Sequence, residues 1–205
     1  TINRAQRILD IGSGCGLIAL ALAQRTESAR ITGVEIDDLS FEESIKNVEE
    51  SPWNDRVEIF HDTIQSFSDK SNLKFDLIVS NPPYFINASK SFSKKKAIAR
   101  HTDALPFEDV LKVANKQLSE DGRLSLVLPK TEGEIFIELA LSQSFYLTRI
   151  TRVHSKKGKP IERLLMEFSK IPGNLKEDEL IIQFEKRNDY TPEYIQITKD
   201  FYTIM

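Results

Sequence analysis

Short apolar segments alternate with helix-length amphipathic segments through most of the chain, and this alternation constrains the fold more than any other feature. Strands that are separated by helices form a parallel sheet covered on both faces, and right-handed crossovers make that sheet doubly wound. The sequence therefore predicts an α/β sandwich of the Rossmann-like type with a mostly parallel sheet. The strand candidates are residues 7–12, 30–36, 56–62, 75–80 and 123–129, and the helix candidates are residues 16–25, 40–51, 106–122 and 134–145.

The end of the chain follows a different pattern. Residues 147–155 and 163–170 are both strand candidates, and the polar segment KKGKPIE joins them. A loop of that size joins antiparallel strands, so we expect the sheet to finish with an antiparallel hairpin strand. We expect residues 1–170 to form one domain and residues 171–205 to form a C-terminal extension packed on it. At the start of the second helix candidate, Ser40 followed by Glu43 predicts a capping box.

Composition excludes several classes of protein. The chain has 205 residues, of which 40% are hydrophobic and 29% are charged, and it contains no apolar run long enough to span a bilayer. The single cysteine, Cys15, excludes an internal disulfide framework and a multi-cysteine metal site. We expect a cytoplasmic protein that needs no metal. Because Thr1 stands only a few residues before the first strand candidate, we also expect the natural protein to have a preceding segment.

Positive charge is concentrated in two places, although the formal net charge is −3. Local basic clusters on an acidic chain favour a selective polyanionic partner, and solvated loops explain the charge equally well. The first cluster contains Lys90, Lys94, Lys95, Lys96 and Arg100 without an acidic residue among them, and the second contains Arg149, Arg152, Lys156, Lys157, Lys159 and Arg163.

A glycine-rich loop, LDIGSGCG, follows the first strand candidate and places Gly12, Gly14 and Gly16 before a helix. Glycines at this point allow a tight turn and let backbone N–H groups approach a ligand at the helix N-terminus. The spacing is G-x-G-x-G, which differs from the G-x-G-x-x-G of dinucleotide-binding proteins. This difference favours S-adenosyl-L-methionine, which has no pyrophosphate.

Acidic residues stand at the carboxyl ends of three successive strand candidates. Asp10 precedes the glycine loop. Glu35 follows the loop by about 20 residues, where an acid can accept hydrogen bonds from ribose hydroxyls. Asp62 can accept a hydrogen bond from an adenine amino group. The loop and the three acids together strongly indicate a cofactor of this kind; the alternative is a tight turn followed by acids that cap helices.

The fourth strand candidate ends in VSNPPYF, residues 79–85. Two prolines can neither continue a helix nor donate within a sheet, so this turn needs another explanation. An adenine amino group or an amide nitrogen is planar and a poor nucleophile, and two acceptors that hold its hydrogens favour rehybridisation. The Asn81 side chain and the Pro82 carbonyl can be these acceptors, Pro83 restricts the turn, and Tyr84 can stack on the substrate. We predict that these four residues are catalytic; the alternative is a rigid loop.

These motifs resemble those of class I S-adenosylmethionine-dependent methyltransferases of the Asn-Pro-Pro-Tyr type, for which a mixed sheet ending is typical. The resemblance implies that Asp10, Gly12, Gly14, Gly16, Glu35 and Asp62 contact the cofactor. Longer segments resemble the bacterial tRNA(Val) adenine-N6 methyltransferases, which modify the adenosine next to the anticodon. Those segments are residues 47–53, 79–85, 97–111, 153–168 and 190–202.

The substrate side of the site follows from the same resemblance. We expect Phe85 to stack beside the target base and the hairpin tip at residues 156–159 to contact the tRNA backbone. We expect a monomer that acts on the anticodon stem-loop. An adjacent Arg-His pair such as Arg100 and His101 is more often structural than substrate-binding, so the role of these two residues is open. The residues expected to grip the substrate are Lys94, Lys95, Lys96, Arg100 and His101.

Other functions share part of this pattern. A protein glutamine N5-methyltransferase acting on release factors has the same turn, and a guanine-N2 ribosomal RNA methyltransferase more often has Phe where Tyr84 stands. A non-catalytic RNA-binding module has no need of the cofactor loop. The two basic clusters favour an RNA substrate over a protein substrate.

Overall fold

The chain forms two compact units in a computed structural model that describes residue 2, residues 5–82 and residues 105–202. The first unit is Thr1–Leu124 and the second is Ser125–Met205. The boundary falls inside a strand. A division into compact units does not show where the catalytic domain ends. The predicted domain limit at residue 170 therefore stays a prediction.

Strands and helices alternate in the first unit, as the sequence predicts. The strand order is β3-β2-β1-β4-β5, and β1 is parallel to both β2 and β4 while β2 is parallel to β3. The carboxyl ends of β1 to β4 therefore lie at one edge of the sheet, where open α/β sheets bind their ligands. The elements are β1 (Arg7–Ile11), α1 (Leu17–Gln24), β2 (Arg30–Glu35), α2 (Asp38–Glu49), β3 (Val57–His61), α3 (Ile64–Lys70), β4 (Phe75–Ser80), α4 (Phe107–Gln117) and β5 (Leu118–Pro129).

A hydrophobic core fixes β1, β2 and β3 against the first helix. Ile8, Ile31 and Ile59 come from these three strands, and Ala19 and Ala23 come from α1; all five are buried in one cluster. Alanine is a strong helix former, and its small side chain lets a helix lie close to the sheet. This packing holds α1 against β1 to β3 and so positions the glycine loop that connects β1 to α1.

Three details of the first unit differ from the sequence prediction. The N-cap of α2 is Asp37, whose side chain accepts a hydrogen bond from the Ser40 N–H at 2.8 Å, so the predicted capping box is wrong. Asp is a strong N-cap, and here it begins the helix before Ser40. The short helix α3 was not predicted. α4 ends at Gln117 instead of residue 122, because β5 already begins at Leu118.

The second unit contains the predicted hairpin and one additional strand. β6 and β7 pair antiparallel, from Tyr146 opposite Ser169 to His154 opposite Ile161, which confirms the hairpin. The predicted mostly parallel sheet with an antiparallel hairpin near its C-terminal end is thus confirmed. β8, which was not predicted, pairs in parallel with β6 and forms the edge. The elements are α5 (Lys130–Ser142), β6 (Tyr146–Lys156), β7 (Ile161–Ser169), β8 (Lys176–Gln183) and α6 (Pro192–Thr198).

None of the helices in the described ranges is both long enough and apolar enough to cross a membrane.

Candidate active site

The glycine loop connects β1 to α1 and is shaped by backbone conformation. Gly12, Gly14 and Gly16 have φ values of 68°, 55° and 81°, which residues with a side chain rarely adopt. A Cβ atom added at Gly12 or Gly14 would meet no atom within 4 Å. The first turn of α1 has no side-chain cap. The loop therefore leaves open space beside a helix N-terminus, where a ligand can approach the backbone.

Contacts from β2 and α2 hold the loop in place. The N–H groups of Gly12 and Ser13 both donate to the Val34 carbonyl, at 2.9 and 3.1 Å. The Asn47 side-chain amide donates to the Cys15 carbonyl at 2.9 Å. Asn47 was missed by sequence reasoning, because no motif marks a helix residue that reaches a loop 32 positions earlier.

Glu35 ends β2 and is the main acceptor in the site. Its carboxylate accepts hydrogen bonds from the N–H groups of Gly14, Ile36 and Asp37 at 2.7, 2.9 and 2.8 Å. An ionised carboxylate has about four acceptor positions, so one position stays open for a ligand hydroxyl. Glu35 therefore stabilises the glycine loop in addition to offering a contact to a ribose.

Asp10 lies in β1 and is fully buried. Neither of its carboxylate oxygens accepts a well-formed hydrogen bond from a described residue, and the same is true of the buried Ser13 hydroxyl. Burial raises the pKa of Asp10 to about 7; the nearby Ala19 N–H opposes this rise and the charge of Glu35 adds to it. Buried acceptors without partners fit a ligand that brings donors, as the ammonium group of S-adenosylmethionine does.

The raised pKa of Asp10 predicts a pH dependence of stability. In the folded protein this carboxyl stays protonated up to about pH 7, whereas the ordinary value is 3.8. The contribution of Asp10 to the free energy of unfolding is therefore full below pH 3.8 and is lost as the pH rises towards 7. Relative to Asp10→Asn, which cannot titrate, the free energy of unfolding of the unchanged protein is expected to fall by about 2–3 kcal/mol from about pH 5 to about pH 8.

Urea unfolding of both proteins at the two pH values, without added ligand, measures this difference. The comparison with Asp10→Asn cancels the contribution of every other titrating group. A difference that stays constant with pH would show that Asp10 is ionised in the folded protein.

Asp62 directly follows β3 at the same edge, and its N–H donates to the Glu35 carbonyl at 3.1 Å. Its carboxylate accepts hydrogen bonds from the Thr63 N–H, the Ser66 hydroxyl and the Lys70 ammonium at 2.8, 3.0 and 2.9 Å. The hydrogen bond from Lys70 in particular holds the pKa of Asp62 below its usual range. This carboxylate supports the start of α3, and its predicted contact with adenine stays a prediction.

The predicted catalytic turn begins where β4 ends. The buried Ser80 hydroxyl donates to the Ile11 carbonyl at 2.8 Å, which joins the end of β4 to the residue before the glycine loop. Asn81 follows and is exposed, and Pro82 is buried. The structure thus brings Asn81 to the same sheet edge as Glu35. Ser80 was missed by sequence reasoning, since a serine at a strand end carries no signal of its own.

The other predicted site residues lie outside the described part of the chain, and their roles stay predictions. Within the described ranges, no group of three or more histidine, cysteine, aspartate or glutamate side chains could hold a metal ion. The predicted residues concerned are Pro83 and Tyr84 of the turn, and Phe85, Lys94, Lys95, Lys96, Arg100 and His101 on the substrate side.

The strand order, the glycine loop and the acid at the end of β2 together define a class I methyltransferase that uses S-adenosylmethionine. The methyltransferase small domain family matches residues 1–156. A tRNA1(Val) (adenine(37)-N6)-methyltransferase from Flavobacterium psychrophilum is 42% identical over 198 residues, which are 97% of this chain and 84% of the relative. The chain belongs to the methyltransferase small domain family, in the group of the tRNA1(Val) (adenine(37)-N6)-methyltransferases.

Solved structures confirm the predicted fold class. A predicted O-methyltransferase from Agrobacterium tumefaciens superimposes with a TM-score of 0.72 at 23% identity, covering 94% of this chain and 88% of that one. A TehB-like SAM-dependent methyltransferase from Corynebacterium glutamicum gives a TM-score of 0.53 at 20% identity, covering 81% of this chain and 80% of that one. At these identities the likeness concerns the fold alone.

Proposed function

We propose that this chain transfers a methyl group from S-adenosylmethionine to the N6 amino group of the adenosine next to the anticodon of valine tRNA. The observation that carries the proposal is the placement of Asn81 at the sheet edge that bears the glycine loop, joined through the hydrogen bond from Ser80 to Ile11. The name of a relative that is 42% identical supports the choice of substrate.

In this proposal, each cofactor residue binds a different part of S-adenosylmethionine. When bound, S-adenosylmethionine supplies an electrophilic methyl group. Glu35 holds the ribose through its remaining acceptor position, and Asp10 accepts from the amino-acid end. Asp62 is assigned to the adenine amino group. The positive φ values of Gly12, Gly14 and Gly16 support close approach of the ligand to the loop.

The turn after β4 activates the substrate nitrogen. The side-chain oxygen of Asn81 and the carbonyl of Pro82 accept the two hydrogens of the adenine amino group. Holding both hydrogens favours rehybridisation of the nitrogen, because its lone pair is otherwise delocalised into the ring. Tyr84 stacks on the extruded base. The nitrogen becomes cationic on methylation and loses a proton to water, so no protein base is required.

The remaining assignments concern the surroundings of the reaction. We assign Phe85 to stacking beside the target base. We assign RNA binding to Lys94, Lys95, Lys96, Arg100 and His101. The enzyme is proposed to act as a cytoplasmic monomer on the anticodon stem-loop. Residues 1–170 form the methyltransferase domain, with residues 171–205 as an extension packed on it.

Methyl transfer from radiolabelled S-adenosylmethionine tests the proposal. The substrates are total tRNA from cells that lack the modification and, in parallel, a purified release factor. We expect label in tRNA only, and digestion to nucleosides should yield N6-methyladenosine confined to valine tRNA. Label in the release factor and none in tRNA would replace the proposal with glutamine methylation, which uses the same turn.

A further inference from the structure

The acidic residues of β8 neutralise one part of the second basic cluster. Arg149 and Arg152 lie in β6 and form ion pairs with Asp178 and Glu177 of β8, at 2.9 and 2.6 Å. These acids come from the amino-terminal half of β8. Arg149 and Arg152, which belong to a cluster predicted to favour RNA binding, are therefore neutralised by ion pairs within the second unit.

The carboxyl ends of the same strands have the opposite character. Lys156 is the last residue of β6 and lies opposite Gln183, the last residue of β8, so the hairpin tip and the turn after β8 are neighbours. The Lys156 ammonium donates to the Glu185 carbonyl at 2.9 Å and joins the two turns. We call this surface, residues 156–160 and 184–189, the basic corner.

The basic corner carries five cations and two acids, Glu185 and Asp189, in a chain whose formal net charge is −3. The basic corner is therefore locally positive although the whole chain is negative. A local positive patch of this kind favours a polyanionic partner. Four of the cations are exposed, and none of the four forms an ion pair with another described residue: Lys157, Lys159, Lys186 and Arg187.

The hairpin tip is held in one conformation by hydrogen bonds within the second unit. The Lys159 N–H donates to the Lys156 carbonyl at 3.1 Å, and the His154 ring nitrogen Nδ1 lies 2.7 Å from the Lys159 carbonyl oxygen. Gly158 supplies the positive φ of 76° that the turn needs. A tip that is already ordered loses less conformational entropy when it binds a partner.

Aromatic rings adjoin the cations. Tyr190 pairs with Gln183 directly after the second turn, and its ring stacks on that of Tyr194 with centroids 5.3 Å apart. The phenol group of Tyr194 in turn lies close to that of Tyr202, and burial together with this neighbour raises the pKa of Tyr194. Tyr202 is 56% exposed and Phe184, within the basic corner, is 44% exposed. Cations with exposed aromatic faces are typical of surfaces that bind single-stranded nucleic acid.

We propose that the basic corner binds the phosphate backbone of the tRNA substrate, and that the exposed rings of Phe184 and Tyr202 stack on unpaired bases. This inference rests on the proposed function for the identity of the RNA. It narrows the RNA contact from the whole basic hairpin to one end of the second unit, because the other end is neutralised by the acids of β8.

Two double variants test the role of charge: Lys157→Ala with Lys159→Ala, and Lys186→Ala with Arg187→Ala. The matched control, Lys170→Ala with Lys176→Ala, removes two charges at the opposite end of β7 and β8. Binding of a valine tRNA transcript is measured by filter retention over a range of salt concentrations. Each corner variant is expected to weaken binding about 10-fold and to reduce the salt slope by about 1–2, since each phosphate contact contributes about 0.7–0.9.

The control is expected to change the affinity less than about 2-fold, because surface charges far from the RNA act only through a screened field. Tyr202→Leu is expected to weaken binding without changing the salt slope, since it removes a ring and no charge. Thermal unfolding of each variant shows whether the fold is retained. Corner variants that are folded and bind like the control would overturn the inference.

Methylation of the same transcript by the unchanged protein separates this inference from the proposed function. If the protein binds tRNA through the corner but does not methylate it, the proposed function fails and the binding surface stands. If it methylates tRNA while the corner variants keep full affinity and an unchanged salt slope, the proposed function stands and the binding surface is wrong.

Discussion

Asn81→Ala is expected to reduce the rate of methyl transfer by at least about 100-fold, which is the usual effect of removing one polar contact at a reacting centre. Asn81 directly follows β4 and is exposed at the sheet edge that carries the glycine loop. Its side-chain oxygen is the acceptor proposed to hold one hydrogen of the adenine amino group. Cofactor binding should change little, since Glu35 and Asp10, the residues assigned to the ribose and to the amino-acid end of the cofactor, are unchanged in this variant.

Single-turnover methylation of a valine tRNA transcript measures the rate, and calorimetry measures cofactor affinity. Asn54→Ala is a matched control, because Asn54 is also exposed and its side-chain amide makes only a 3.4 Å hydrogen bond to the Glu49 carbonyl. It should methylate at the unchanged rate. Full activity of Asn81→Ala would remove Asn81 from the mechanism.

Glu35→Ala is expected to weaken S-adenosylmethionine binding by about 10- to 100-fold, corresponding to about 1–3 kcal/mol for a lost charge-assisted hydrogen-bond group. The structure gives two reasons. The carboxylate offers its remaining acceptor position to the ribose, and it also receives the N–H groups of Gly14, Ile36 and Asp37. Its removal therefore leaves three donors without their partner and loosens the glycine loop.

Titration calorimetry measures the affinity, and urea unfolding without ligand measures the stability. Glu35→Gln keeps one acceptor oxygen and is expected to lose less of both. Glu43→Ala is a matched control, since Glu43 is an exposed acid in α2. Unchanged cofactor affinity in Glu35→Ala would show that the ribose is bound elsewhere, even if the stability falls.

The strand and loop predictions agree with the structure where the signal is local. β4 spans Phe75–Ser80, the same residues as the predicted strand, because this apolar run is bounded by polar residues and by the prolines. The hairpin of β6 and β7 is also confirmed, since a short loop between two strands leaves few other arrangements. α3 has only seven residues, too few for a helical period to stand out.

β8 was missed for a related reason. Its sequence, KEDELIIQ, gathers acids at one end and apolar residues at the other, so it lacks the alternation of a half-buried strand. The acids of β8 form ion pairs with arginines of β6: Asp178 with Arg149, 29 positions earlier, and Glu177 with Arg152, 25 positions earlier. Charge patterns alone therefore predicted a larger basic surface than the second unit presents.

The sequence by itself determined the chemistry that depends on neighbouring residues. A glycine loop between a strand and a helix, and a proline turn after another strand, act through local backbone conformation, which is encoded where it occurs. Only the tertiary structure decided the burial of Asp10, the hydrogen bond from Ser80 to Ile11 across 69 positions, and which arginines are neutralised by β8. These properties depend on residues that are distant in sequence and become neighbours only when the chain folds.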